Sequence, residues 1–344
     1  MRFGFFVMNQ YVAGEDMAQK VREAVEQVRL ARDAGFDMVA TGQHYLAHPY
    51  QMPTTLPFLA RLAAEAGEMR VGATVVLLPL HNPVEVAESV ATLDAITGGR
   101  FTLGVGLGYR EEEFQAFGTT MRERVPRMLE ALEVVRALWR AAAQGEEMEF
   151  RGRFFRVPRV RPMTRPVQRP HPPIWVAANN DAAIVRAARL GFPWLVNPHA
   201  TVATVERQAA LYRQALQEAG HRPDAFPMMR ELYVHPDRAQ ALAQARPYLE
   251  PKYAAYAAWG QDRALPGEES FRVPFDELAR DRFLVGTPEE VVAEVRRYQE
   301  RLGVDWMLFR MQWPGMPHAQ VVRQLELFGE RVIPHFKQRA GAKA

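Results

Sequence analysis

RVGATVVLLPLHNPVEVAESVATLDAITGGRFTLGVG, residues 70 to 106, holds the alternation on which the fold turns. Arg70 to Leu78 is β-rich and apolar on both faces, the pattern of a strand in a covered parallel sheet. Pro83 to Ile96 follows with helical period, Gly98-Gly99 breaks it, and Arg100 to Gly106 supplies the next strand. Strand, helix and strand in this order make one βα unit.

The rhythm continues on both sides of this unit. Upstream, Arg2 to Met8 reads as a strand. The helix from about Asp16 to Ala34 places Val21, Val25, Val28 and Ala31 on one stripe and ends at Gly35. Phe36 to Thr41 and Thr54 to Gly67 give the second strand and helix. Downstream come a helix over Met121 to Ala142, strand Pro173 to Ala178, helix Asp181 to Leu190, a short strand Trp194 to Val196 and helix Val202 to Ala219. Strand Phe226 to Val234, a helix from Asp237, a helix opened by Thr287-Pro288, strand Val304 to Arg310 and helix Pro317 to Phe336 complete the series. The pattern predicts a single-domain (β/α)8 TIM barrel over residues 1–336. Two stretches interrupt it. Residues 145–172, rich in arginine and proline around Phe150, Phe154 and Phe155, predict a hairpin and extended insertion. Residues 248–283, with Tyr253, Tyr256 and Trp259, show little periodicity and predict a lid or interface excursion. Residues 337–344 are expected to fray.

Composition narrows the function. With 344 residues, 48% hydrophobic and 24% charged, the chain can bury a large core. Its 43 cationic and 40 anionic side chains, net +3, are interspersed, which argues against a nucleic-acid-binding stripe. Cysteine is absent, so disulfides, thiolate nucleophiles, iron–sulfur clusters and cysteine zinc sites are excluded, and redox chemistry requires a bound cofactor. The apolar N-terminus is only strand-length and no cleavage site follows, and no apolar run suits a membrane span; a cytoplasmic enzyme is expected.

In barrel enzymes the chemistry sits just after the strands. Thr41-Gly-Gln-His-Tyr45, Pro79-Leu-His-Asn-Pro83 and Gly104-Val-Gly-Leu-Gly-Tyr-Arg-Glu-Glu-Glu-Phe114 occupy such positions. His44 is the acid/base candidate, because imidazole takes or gives a proton near neutrality; the alternative is a loop histidine merely hydrogen-bonded at the mouth. His44 and His48 would share a helix face, but Pro49 and Pro53 disfavour a helix and no carboxylate lies close in sequence, so no metal is expected. Alternate glycines at 104, 106 and 108 either clear space for a planar ring or serve close packing. Ala177-Ala178-Asn179-Asn180, between strand and helix, suits a phosphate or is a plain asparagine cap. Arg110 reads as pairing with Glu112 or Glu113 on a solvated face.

These segments, with Leu93-Asp-Ala-Ile-Thr-Gly-Gly-Arg-Phe101, Pro172-Pro-Ile-Trp-Val-Ala-Ala-Asn-Asn180, Val285-Gly-Thr-Pro-Glu-Glu-Val291 and Arg310-Met-Gln-Trp-Pro-Gly-Met316, resemble the bacterial luciferase-like flavin-dependent oxidoreductases from Met1 to about Phe336. The resemblance implies a flavin lying against Phe6, Gln43, Thr74, Val75, Gly106, Tyr109, Arg110, Ala177, Ala178, Asn179 and Asn180, with His44 beside it. It implies a non-proline cis peptide between Thr74 and Val75. Gln43 stands where relatives usually carry an acid before the histidine, so it brings no charge to His44; Leu107 stands where some relatives carry a phosphate-binding arginine. The expected activity is that of a monooxygenase using reduced FMN and O2 on a small organic substrate, fed by a separate NAD(P)H-dependent flavin reductase. A hydride-transfer dehydrogenase using a deazaflavin coenzyme, or a non-catalytic flavin-binding barrel, are the alternatives. FMN is preferred because Glu111, Glu112 and Glu113 would repel the deazaflavin's acidic tail. Arg151, Arg153, Arg159, Arg161 and Arg165 would reverse that field if they folded over the mouth. A homodimer is also implied, with Leu59, Ala60, Ala63, Val86 and Val90 as its surface.

Overall fold

The computed structural model describes residues 1–266 and 269–337. Most of the stretch expected to fray, 338–344, lies outside them. Nine strands form one parallel sheet: β1 (Arg2–Phe6), β2 (Met38–Thr41), β3 (Arg70–Leu77), β4 (Phe101–Gly106), β5 (Ile174–Ala177), β6 (Trp194–Leu195), β7 (Pro227–Val234), β8 (Phe283–Gly286) and β9 (Trp306–Arg310). Their order is β6-β5-β4-β3-β2-β1-β9-β7-β8. The sheet curls strongly. Val196, just after β6, donates its N–H to the Pro227 carbonyl and accepts from the Met229 N–H, each at 2.9 Å, so the β6 edge meets β7.

Helices cover the outside of the curl, several of them through one apolar stripe, as in Asp181–Arg189 and Pro288–Leu302, and local chemistry sets their ends. The Asn82 side chain caps helix Pro83–Ile96 through the Val84 N–H, and Thr287 with Glu290 forms a capping box on helix Pro288–Leu302. Leu59, Val86 and Val90 are buried against the chain's own core, leaving only Ala60 and Ala63 of the expected dimer surface partly exposed. No helix among the described residues is long and apolar enough to cross a membrane.

The predicted hairpin is present, Met148–Arg151 pairing antiparallel with Arg156–Val160. The second excursion is corrected. Helix Arg238–Ala258 runs eleven residues into it despite Pro247 and Pro251, and β8, which the sequence did not reveal, begins at its last residue. The inward face of that helix carries Lys252, Tyr253 and Tyr256 beside Ala241, Ala245 and Leu249, so polar and apolar positions do not separate by period.

Candidate active site

At the C-terminal ends of the strands lies a cavity of about 430 Å³. Phe6, Gln43, His44, Thr74, Val75, Gly106, Tyr109, Ala177, Ala178, Asn179 and Asn180 all line it, and Arg110 does not. The Thr74–Val75 peptide is cis.

His44 follows β2 in a loop that is not helical, so His48 does not stand above it on a helix face. Among the described residues no group of three or more His, Asp or Glu gathers as a metal site. The imidazole is instead held by a carboxylate. His44 Nδ1 is 3.0 Å from Glu113 Oε1, which also accepts the Tyr45 N–H at 2.8 Å. An acceptor at Nδ1 places the proton there and leaves the Nε2 lone pair free. Tyr109 Oη is 3.4 Å from Nε2, its ring edge-on to the imidazole. Burial, reinforced by Tyr256 and Glu113, pushes the Tyr109 hydroxyl well up, so it remains a donor. The charge missing at Gln43 is therefore supplied by Glu113, fully buried in short helix Glu111–Ala116. An acidic triplet reads as a solvated face; only the adjoining Phe114, also buried, marks Glu113 as turned inward.

Gln43 is a strut. Its Oε1 accepts the Leu77 N–H at 2.9 Å and lies 3.0 Å from His81 Nε2, while its Nε2 donates to Tyr45 Oη at 2.9 Å. Arg110 is turned to the loop: its Nη1 and Nη2 donate to the Tyr45 and Leu46 carbonyls at 2.7 and 3.0 Å, its guanidinium stacks on Trp259, and its Nη1 is 3.7 Å from Glu113 Oε1, a buried form of the pairing read from sequence. It pins the His44 loop. Trp259 in turn donates to the His48 carbonyl at 3.1 Å, so the end of helix Arg238–Ala258 does cover one side of the mouth.

Across the cavity, Asn180 caps helix Asp181–Arg189 through the Ala183 N–H at 3.0 Å and also borders the cavity. Asp181 is neutralised by bidentate Arg207 at 2.6 and 2.9 Å, and Arg124 faces the cavity. A Cβ on Gly104 would lie 2.4 Å from the Ala73 carbonyl, so that glycine serves close strand packing; Gly106 packs against Val75 and also opens onto the cavity.

Residues 1–305 match the luciferase-like monooxygenases. The chain belongs to that family. It is 26% identical to the oxygenase component of flavin-dependent trigonelline monooxygenase from Acinetobacter baylyi, covering 98% of this chain and 96% of the relative. It is 27% identical to an F420-dependent glucose-6-phosphate dehydrogenase from Nakamurella multipartita, covering 99% and 98%. The crystal structure of monooxygenase RslO1 from Streptomyces bottropensis superposes with a TM-score of 0.85 at 29% identity, over 98% of this chain and 100% of that one.

Several cavity residues of this luciferase-like chain were not marked by sequence. Asn9, Gln10, Asn197, His199 and Arg310 come from strand ends or loops far apart in the chain, and no short motif joins them. His199 is buried against Tyr253, Tyr256 and Phe271. Burial, then Lys252, Arg310, Arg230 and Arg282, pulls it well below the ordinary histidine value, so it stands neutral at the wall.

Proposed function

We propose that this chain is a monooxygenase that uses reduced FMN and O2 to oxidise a small organic substrate, in an eight-stranded barrel closed by the Val196 bridge to β7. The observation that carries the reading is a cavity whose lining combines an oriented proton-transfer group, His44, with buried polar atoms left unsatisfied. Thr74 Oγ1 and Asn197 Nδ2 are buried without hydrogen-bond partners among the described residues, on residues that line the cavity. Buried polar groups are normally paired, so their isolation fits a ligand with a donor and acceptor edge, as an isoalloxazine has. The fit extends to the phosphate: Arg124 and the first turn of helix Asp181–Arg189, with Asp181 already neutralised, suit a compact anion.

Reduced flavin, when bound, supplies the electrons that activate O2. The protein's part is to hold the ring, exclude water and move protons. His44 exchanges a proton at Nε2, Glu113 holds its Nδ1–H, and Tyr109 donates on the cavity side. Reduced FMN would come from a separate NAD(P)H-dependent reductase, in keeping with a relative described as an oxygenase component.

FMN is favoured over a deazaflavin coenzyme. The hairpin arginines do not reach the cavity: Arg151 and Arg159 pair with Glu149 and Glu147 of the same hairpin. The deazaflavin reading draws support from Arg263, a second cation that, like Arg124, lines the cavity and could meet an acidic tail. An isotope experiment separates them. Protein, reduced FMN, ¹⁸O₂ and a library of small organic compounds should yield a product carrying one labelled oxygen atom. Product formed with reduced or oxidised F420 without O2, or flavin oxidation with no labelled product, would contradict the proposal.

A further inference from the structure

Opposite Asn179 and Asn180, three neighbouring strands build a different chemistry. Arg310 on β9 is in register with Phe6 on β1 and Glu231 on β7. The Arg310 guanidinium carbon lies 4.4 Å from the Phe6 ring centroid. Its Nη1 donates to Glu231 Oε1 at 3.2 Å and is 3.5 Å from Tyr256 Oη. Its Nε and Nη2 have no hydrogen-bond partner among the described residues, and the side chain borders the cavity with 12% of its surface exposed.

Glu231 has little left to give this arginine. It also accepts from Lys252 Nζ, from Trp313 Nε1 at 2.6 Å and from Tyr253 Oη at 3.3 Å. Behind His199, Arg282 pairs with Glu269, whereas Arg230 donates among the described residues only to the Asn197 and Met229 carbonyls and the Tyr298 hydroxyl, which leaves its buried Nη2 without a partner among them. Arg230, Lys252, Arg282 and Arg310 thus share two carboxylates, Glu231 and Glu269, around a neutral His199, and burial together with Arg310 pulls the Lys252 ammonium well below its ordinary value. Positive charge in such surroundings is costly unless paired, and Arg310 is the member of the group that opens onto the cavity.

We infer that Arg310 anchors a carboxylate of the organic substrate, which makes the substrate class a small carboxylic acid. The inference rests on reading the cavity as a flavin oxygenase site. The free Nε and Nη2 donors form one planar edge of the guanidinium, the geometry that receives both oxygens of a carboxylate. A phosphate end is provided on the other side of the cavity, by Arg124 and helix Asp181–Arg189, so this edge is left for a different anion. The field of the cation group draws the anion inward and orients the rest of the molecule across the cavity toward His44.

Calorimetric titration of the FMN-loaded protein with acetate, hexanoate, benzoate and salicylate, each against its neutral amide, tests this. At least one acid should bind tenfold or more tightly than its amide, a difference of about 1.4 kcal/mol. Arg310→Gln should abolish that preference and Arg310→Lys should retain part of it, with FMN affinity in both variants within about threefold of wild type and circular dichroism unchanged. Equal binding of every acid and amide, or an undiminished preference in Arg310→Gln, overturns the inference. Loss of FMN affinity in Arg310→Gln with the acid preference kept also overturns it, because the anion held would then be the flavin's own. Absence of FMN binding in the wild type is a separate failure, of the flavin reading itself, and the acid-over-amide comparison can be repeated on the protein alone.

Discussion

His44→Ala is expected to lower the rate of labelled-product formation about 10²-fold, the usual contribution of a positioned general acid or base. The loss should fall on kcat, with KM and FMN affinity within about threefold, because in the proposed reading the imidazole serves proton transfer and the ring would be held by other residues of the cavity. Glu113→Gln is expected to cost about tenfold, by the same reasoning applied to the group that orients rather than transfers. It keeps an acceptor for the Tyr45 N–H but removes the charge 3.0 Å from Nδ1. Steady-state kinetics on purified variants checks both. Wild-type kcat in His44→Ala would reduce the histidine to a hydrogen-bonded loop residue, and a fall confined to KM in Glu113→Gln would make Glu113 a loop brace alone.

The largest stability effect is expected at Glu231. Its carboxylate is fully buried and meets Lys252, Arg310, Tyr253 and Trp313. Glu231→Ala leaves two buried cations without their acceptor, and breaking a buried pair from one side typically costs about 3–5 kcal/mol. Lys252→Met should cost less, because Glu231 then keeps Arg310 and Trp313. Urea unfolding at neutral pH measures both, and a loss below about 1 kcal/mol in Glu231→Ala would contradict the account. The pH dependence has a definite sign. Burial works to raise the Glu231 carboxyl, but Lys252 and Arg310 outweigh it and hold it below the ordinary carboxylate value. Its contribution is therefore complete above the unfolded-state value and is lost as pH falls through the lower folded one. Wild-type stability should decline in acid more steeply than that of Glu231→Gln.

The parts of the fold legible in sequence were those where period and chemistry agree. Pro83–Ile96 and Val202–Ala219 end where their capping residues and glycines place them. Helix Arg238–Ala258 was hidden beyond Tyr248 because two prolines interrupt it and its buried face carries a lysine and two tyrosines. At the site, His44 and the segment ending at Asn180 were visible because they follow strands directly. The direction of Arg110 was not legible for a physical reason: the residue after a strand has no fixed direction until the loop's carbonyls are placed, and those of Tyr45 and Leu46 claim it. Glu113 and Arg310 were missed because their significance lies in partners 69 and 79 residues away, His44 and Glu231.

The central claim is that this cavity is built for FMN, and equilibrium competition between reduced FMN and reduced F420 for the purified protein under anaerobic conditions tests it most directly. The account predicts the lower dissociation constant for FMN, with Arg124→Ala weakening it about tenfold as a charge-assisted phosphate contact is lost, about 1.4 kcal/mol. A dissociation constant tenfold lower for F420, or no binding of either, would contradict it.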